Sequence, residues 1–250
     1  MFSTINYDSL AYLVKANPEF ESVVNTIIAD NKKANSMLVH ELRNPLTLLK
    51  GTIQYIESKH PETRDYKYWD QIQDIINDME KLMAEASLYN TYNLIQKEDT
   101  NLITVFENLI NSFMPQALTK DILLSLTIDS NSRPYFMSYP CDVLKIKQVL
   151  INLIKNAFEA TTPGNFINVE LKYVMGDFQS PSKLSIEISN NGAKIPEDEL
   201  ENIFLPFVTH KKGGTGMGLA LAKKVVDMHF GSISVESSDL LTTFKIMLPI

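Results

Sequence analysis

The chain has 250 residues, of which 44% are hydrophobic and 21% charged, and a formal net charge of −7. That length holds one large domain or two modest ones with real cores, while the composition excludes extensive disorder and the acidic balance excludes a nucleic-acid-binding face. The single Cys141 rules out an internal disulfide, and no apolar run reaches the roughly 18 residues of a membrane helix, so a cytoplasmic chain without membrane insertion is expected.

Residues 1–24 read as an N-terminal segment whose apolar residues are interrupted by Asp8, Lys15 and Pro18. From residue 25 to about residue 95 the period is helical. Ile28, Leu42, Leu49 and Ile56 share one heptad position, with Leu38 and Pro45 on the intervening one. A second run reads Trp69, Ile72, Ile76, Met79, Met83 and Ala86 in steps of three and four. The connection Ser58–Asp65 is short and polar, with Pro61 expected near the start of the second helix. Helices joined this tightly are antiparallel neighbours. One hairpin cannot cover both apolar faces, which predicts a homodimeric four-helix bundle; the alternative is an intramolecular bundle with the N-terminal segment as third helix. Asn31 and Asn35 fall on the seam, where amides set register.

Past a boundary near Asn93–Asp99 the period becomes two. Ile122–Asp129, Ile167–Val174, Lys183–Ser189, Ser232–Ser237 and Thr242–Pro249 alternate apolar and polar residues and read as half-buried strands. Helical patterns lie around Thr104–Phe113, Val143–Ala160 and Leu219–Phe230. The expected fold class is therefore α+β in two domains: the helical hairpin, then, over residues 96–250, an α/β sandwich with a mixed sheet and helices on one face.

The stretch MLVHELRNPLTLLKG, Met37–Gly51, places a proline inside the first helix. With Leu42 in the seam, His40 points outward beside Glu41, and Asn44 lies one turn away on the same face. A solvated surface histidine is the ordinary reading of such a residue. Pro45 weighs against it, because an interior proline costs on the order of 3 kcal/mol and removes the donor that would cap the Glu41 carbonyl. Such a local penalty beside a titratable pair marks a functional site. An adjacent carboxylate that takes the proton of one ring nitrogen leaves the other as a neutral nucleophile.

Four further stretches carry polar residues or glycines that a simple core does not need. KQVLINLIKNAFEAT sets Asn152 and Asn156 four apart on one helix, with Glu159 one turn on; the two amides are hard oxygen ligands for a cation or solvent-side polar caps. ISNNGAKIP turns out of a strand at Gly192. NIFLPFVTHK carries Phe204 and Phe207 in a loop. KKGGTGMGLALAKKVV leads Gly213, Gly214, Gly216 and Gly218 into a helix, the arrangement of a phosphate cradle or of a plain mobile lid. It has neither Walker A nor Rossmann spacing.

In this order the stretches resemble the sensor histidine kinases of two-component signalling. HELRNP is similar to their phosphoacceptor box, NLIKNAFEA to the N box, NNGAKIP and GGTGMGLAL to the two glycine boxes, and IFLPF to the F box. The resemblance implies a dimerisation and histidine-phosphotransfer domain followed by an ATPase domain shared in fold with gyrase, Hsp90 and MutL. It makes His40 the attacker of the γ-phosphate of ATP, Glu41 its orienting base, and Asn44 the residue that positions water in a phosphatase reaction. Asn156 would hold Mg2+, supported by Asn152, which stands where hydrolysing relatives carry a glutamate. Lys211 or Lys212 would meet the phosphates, with Gly214, Gly216 and Gly218 in the lid. Asn190, Gly192, Ile195, Phe207, Thr215, Met217, Leu219 and Thr243 would complete the nucleotide site. The partner implied is the receiver domain of a response regulator.

Three positions depart from that pattern. Asn190 replaces an adenine-reading aspartate, Lys194 replaces the second glycine of its box, and SSDLLTTF lacks the usual hairpin glycines. Two rival readings remain at this point: a degenerate kinase that only docks a regulator, and a hydrolytic ATPase, which Asn152 disfavours.

Overall fold

The computed structural model describes residues 18–91, 95–178, 181–209, 211 and 214–250. Packing divides the chain into two units, Met1–Thr91 and Tyr92–Ile250.

In the first unit, α1 (Pro18–Lys59) and α2 (Trp69–Thr91) form an antiparallel hairpin. Pro61 does not open α2, as expected, but a separate 3-10 turn, Pro61–Asp65. The turn is tied down locally: Thr63, itself buried, donates its hydroxyl to the His60 carbonyl at 2.7 Å, and Glu57 receives both Arg64 and the Gln73 amide. Lys50 pairs with Glu80 across the two helices at 2.6 Å.

The seam is shifted from the expected one. Leu46, Ile76 and Met83 are buried together, and Val39 and Ile53 pack on them. Leu38, Leu42 and Leu49 instead remain 60, 57 and 47% exposed, and Pro45, Ile72 and Met79 are exposed as well. The cause is that α1 carries two heptad stripes, Val39/Leu46/Ile53 and Leu42/Leu49/Ile56, and only one can face α2. The side chains of Ile28, Asn31 and Asn35 lie outside the described residues.

The second unit begins with β1 (Glu98–Thr100), α3 (Leu102–Thr119), β2 (Leu123–Ile128), the short α4 (Arg133–Met137) and β3 (Tyr139–Cys141). It continues through α5 (Val143–Ala160), β4 (Phe166–Val174), β5 (Lys183–Asn190), the short α6 (Glu197–Leu200), α7 (Gly218–Met228), β6 (Ser232–Ser237) and β7 (Thr242–Pro249). Five strands form one mixed sheet in the order β2-β4-β5-β7-β6, with β2–β4 parallel and the other pairs antiparallel. β1 and β3 form a separate antiparallel ribbon. Alternation sends Ile167, Val169 and Leu171 of β4, Ile186 and Ile188 of β5, and Phe244, Ile246 and Leu248 of β7 into one core with α3, α5 and α7. The opposite face is polar, and Lys245 pairs there with Glu187 at 2.9 Å.

Two anchors fix α5, the helix that carries the paired asparagines. Its N-cap Asp142 accepts from Lys145 N–H at 3.2 Å, and the Asp142 N–H donates to Nε2 of His229 at 3.0 Å. His229 sits at the end of α7 and donates its other ring nitrogen to the Val225 carbonyl at 2.8 Å. Burial holds this imidazole below its ordinary range, against the opposing pull of the Val225 bond, so the neutral ring can accept from Asp142. A buried histidine thus locks the start of α5 to the end of α7.

Candidate functional site

The first group of candidate residues lies on α1. His40, Glu41 and Asn44 are all exposed, while Val39 and Leu46 on the same turns point into the hairpin. Among the described residues nothing hydrogen-bonds the His40 ring. The helix runs on through Pro45, whose missing N–H leaves the Glu41 carbonyl without its helical donor. Thr47 adds a hydroxyl bond to the Arg43 carbonyl at 2.9 Å.

The second group surrounds the C-terminal half of α5. Lys211 reaches back to α5, where its ammonium meets Oδ1 of Asn156 at 3.0 Å and the carboxylate of Glu159. The amide oxygen of Asn156 and the carboxylate of Glu159 are oxygen donors of the kind Mg2+ takes, and that ion needs only one or two protein ligands when phosphates supply others, so the residues fit it. Among the described residues there is no cluster of three acidic, histidine or cysteine side chains that could hold a metal alone. Glu159 was not among the expected site residues; its place one turn beyond Asn156 was the available signal. Lys212 lies outside the described residues.

Asn152 takes a different part from the expected support of the cation. Its oxygen accepts from Gln148, one turn earlier on α5, at 3.0 Å, and its amide nitrogen donates to the Gly218 carbonyl at 3.0 Å, so the nitrogen end clamps α5 to the first residue of α7. That clamp holds the glycine stretch where its amides and the positive end of the α7 dipole can receive an anion. Gly216 has φ +68°, and a Cβ there would come within 2.5 Å of the Phe207 carbonyl carbon. Gly216 in turn accepts from the Phe207 N–H at 3.1 Å, and Phe207 is itself left-handed at φ +67° with its ring 59% exposed. Phe204, by contrast, packs edge-on against Phe244. Met217 is buried, Leu219 packs on the core, and Thr215 accepts from the Met217 N–H at 3.4 Å.

At the sheet end, Asn190 is buried and Gly192 lies against the last turn of α5, where Ala193 N–H donates to the Ala160 carbonyl at 2.9 Å. The second asparagine of the motif is structural: Asn191 accepts from Phe166 N–H at 2.8 Å and donates to Asn165 at 2.9 Å. Ile195 N–H donates to Ser237, whose hydroxyl also meets Thr242 at 2.6 Å.

Thr243 is misplaced for the role expected of it. It points to the outer sheet face and meets Ser189 at 2.9 Å, whereas Thr242, opposite Asn190 in the register, is buried on the helix side. Strand alternation with Phe244, Ile246 and Leu248 was the signal for Thr242.

The other two departures have local explanations. Lys194 is not among the positive-φ residues and pairs with Asp239 at 3.5 Å, so its turn has no need of a glycine. In the last hairpin, the Ser238 hydroxyl accepts from the N–H groups of Leu240 and Leu241, making a turn that a glycine-rich loop would otherwise supply.

Comparison with known proteins gives two family matches. Residues 15–89 match the His Kinase A (phospho-acceptor) domain, and residues 141–250 the histidine kinase-, DNA gyrase B- and HSP90-like ATPase. Sporulation kinase E of Bacillus subtilis is 31% identical over 215 residues, 85% of this chain and 28% of that kinase. The sensory histidine kinase/phosphatase NtrB of Azospirillum brasilense is 28% identical over 98% of this chain and 61% of its own length. The chain thus spans between about a quarter and three-fifths of these curated relatives. The catalytic domain of histidine kinase ThkA is 30% identical with a TM-score of 0.54, covering 62% of this chain and 95% of that domain. ThkA in complex with the response regulator protein TrrA gives a TM-score of 0.63 at 26% identity, over 95% of this chain and 66% of ThkA. With an exposed histidine on one helical unit and the paired asparagines and glycine stretch on a sheet unit, the chain belongs to the histidine kinases of two-component signalling.

Proposed function

We propose that the chain is an ATP-dependent protein histidine kinase that phosphorylates its own His40 and passes the phosphoryl group to an aspartate on the receiver domain of a response regulator. Residues 25–95 serve as the phosphoacceptor and dimerisation domain and residues 96–250 as the ATP-binding domain. The observation that carries the reading is the outward His40, anchored from behind by Val39 and Leu46 and followed at once by Glu41.

One ring nitrogen of His40 attacks the γ-phosphorus, the bond to the β–γ bridging oxygen breaks, and ADP leaves with that electron pair. As that bond forms, Glu41 accepts the proton of the other ring nitrogen, so the phosphorylated ring is left without the positive charge it would otherwise carry. Lys211 moves its charge from Glu159 to the phosphates, and Asn156, released from it, would be the residue to hold Mg2+. The metal when bound neutralises phosphate charge. Thr242, Ile195 and Phe207 border the base. Asn44 orients a water when the same helix dephosphorylates the regulator. The setting proposed is the cytoplasm, and among the described residues no helix is long and apolar enough to cross a membrane.

The test is incubation with γ-labelled ATP and Mg2+, followed by peptide mapping. Acid-labile, base-stable label on the peptide containing Met37–Gly51 is expected. Acid-stable label elsewhere, or phosphate release with no labelled protein, overturns the reading.

The homodimer rests on the second stripe of α1, Leu38, Leu42 and Leu49, and on Ile72, Ile75 and Met79 of α2, all left exposed by the hairpin. Leu42→Glu is expected to halve the mass measured by sedimentation without melting the hairpin, because Leu42 makes no part of its core. An unchanged mass would assign the stripe to another use.

A further inference from the structure

We propose that Asn190 makes the base pocket a reader of both 6-amino and 6-oxopurine nucleotides, so that ITP is bound nearly as well as ATP. This rests on the reading of Asn190 and its neighbours as part of a nucleotide site.

Asn190 ends β5 on the helix side of the sheet, 1% exposed, and its Nδ2 has no hydrogen-bond partner. Its polar neighbours are already matched. The Thr242 hydroxyl meets Ser237 at 2.6 Å, Ser237 accepts from Ile195 N–H at 2.9 Å, and both ends of the Asn191 amide are taken by Phe166 and Asn165. One donor is left over, sealed from solvent beside the Gly192 turn. The position a Cβ on Gly192 would take lies 2.9 Å from it. Unpaired buried donors are rare and costly in native structures, so such a group points to an acceptor that a ligand brings.

The chemistry of the side chain decides which ligand edges fit. A carboxylate here would only accept: it would receive a hydrogen bond from a 6-amino group and repel a 6-oxo oxygen. An amide presents a donor and an acceptor side by side and can turn over by half a revolution about its last torsion. With the oxygen toward the 6-position it accepts from the adenine amino group while its N–H faces N1. Turned over, it donates to the 6-oxo oxygen while its oxygen accepts from N1–H. Either base leaves no mismatched pair, so the discrimination that a fixed acceptor supplies is lost.

The experiment is calorimetric titration of the full chain with the β,γ-imido forms of ATP and ITP, which differ in the base only at the 6-position and its coupled N1 proton. Wild type is expected to bind the two within about tenfold, and Asn190→Asp to shift the ratio of ATP-form to ITP-form affinity toward the ATP form on the order of 10- to 100-fold. Wild-type binding of the ATP form with rejection of the ITP form by more than about tenfold overturns the inference and leaves the kinase reading standing. Binding of neither overturns both. The wild-type ratio needs no variant, so it decides the matter even if Asn190→Asp folds poorly.

Discussion

Replacing His40 with glutamine is expected to abolish labelling of the protein by ATP while leaving its fold and its nucleotide binding intact. Removing a covalent nucleophile costs on the order of a million-fold in rate in well-measured cases, because no other side chain stands in its place. Glutamine has good helix propensity and no ring nitrogen. His40 is exposed and no described residue hydrogen-bonds its ring, so the substitution removes chemistry without removing packing. The residues proposed to bind nucleotide belong to the other packing unit. Label persisting in His40→Gln at the wild-type level would move the phosphoacceptor elsewhere. Loss of label together with loss of the helical signal would show instead that His40 has a structural part.

The second large effect is expected at Gly192. A Cβ there would lie 2.1 Å from the Ala160 carbonyl oxygen and 2.5 Å from its carbon. Both are backbone atoms at the end of α5, so no side chain can swing away to make room. Relief requires the end of α5 or the turn to move, and the Ala193 to Ala160 hydrogen bond of 2.9 Å lies on the line of that movement. Overpacking costs about 1–3 kcal/mol and the lost bond about 1 kcal/mol. For a unit of this size that lowers the melting temperature of Gly192→Ala by roughly 5–15 °C. Nucleotide affinity falls with it, because Asn190 sits two residues away on the same turn. Gly218→Ala is the matched control, since its Cβ would meet nothing closer than Asn152 at 3.7 Å. Equal melting temperatures for the two variants would remove the steric account of Gly192.

Much of this architecture was legible in one dimension. The pattern of α5 ends at Val143 and Ala160, as observed, and the five long strands announce themselves by alternation. The ribbon of β1 and β3 does not, because three residues cannot display a period. The same holds for α4 and α6, which are barely a turn long. Lys194 and the glycine-free last hairpin looked like departures from a motif. Each is accommodated by a neighbour, Asp239 in one case and the Ser238 hydroxyl in the other, that a comparison of motifs leaves out.

The order of residues alone carries the chemistry available: a histidine beside a glutamate on a helical stripe, paired amides four apart, and glycines running into a helix N-terminus. These depend on residue type and short-range spacing, which the covalent chain carries directly. Long-range packing selected which of two heptad stripes on α1 faces α2. It also decided that Asn152 is a clamp and that Lys211 rests on Glu159 and Asn156. Each of those choices is made between locally equivalent options, and the energy that separates them comes from partners far away along the chain.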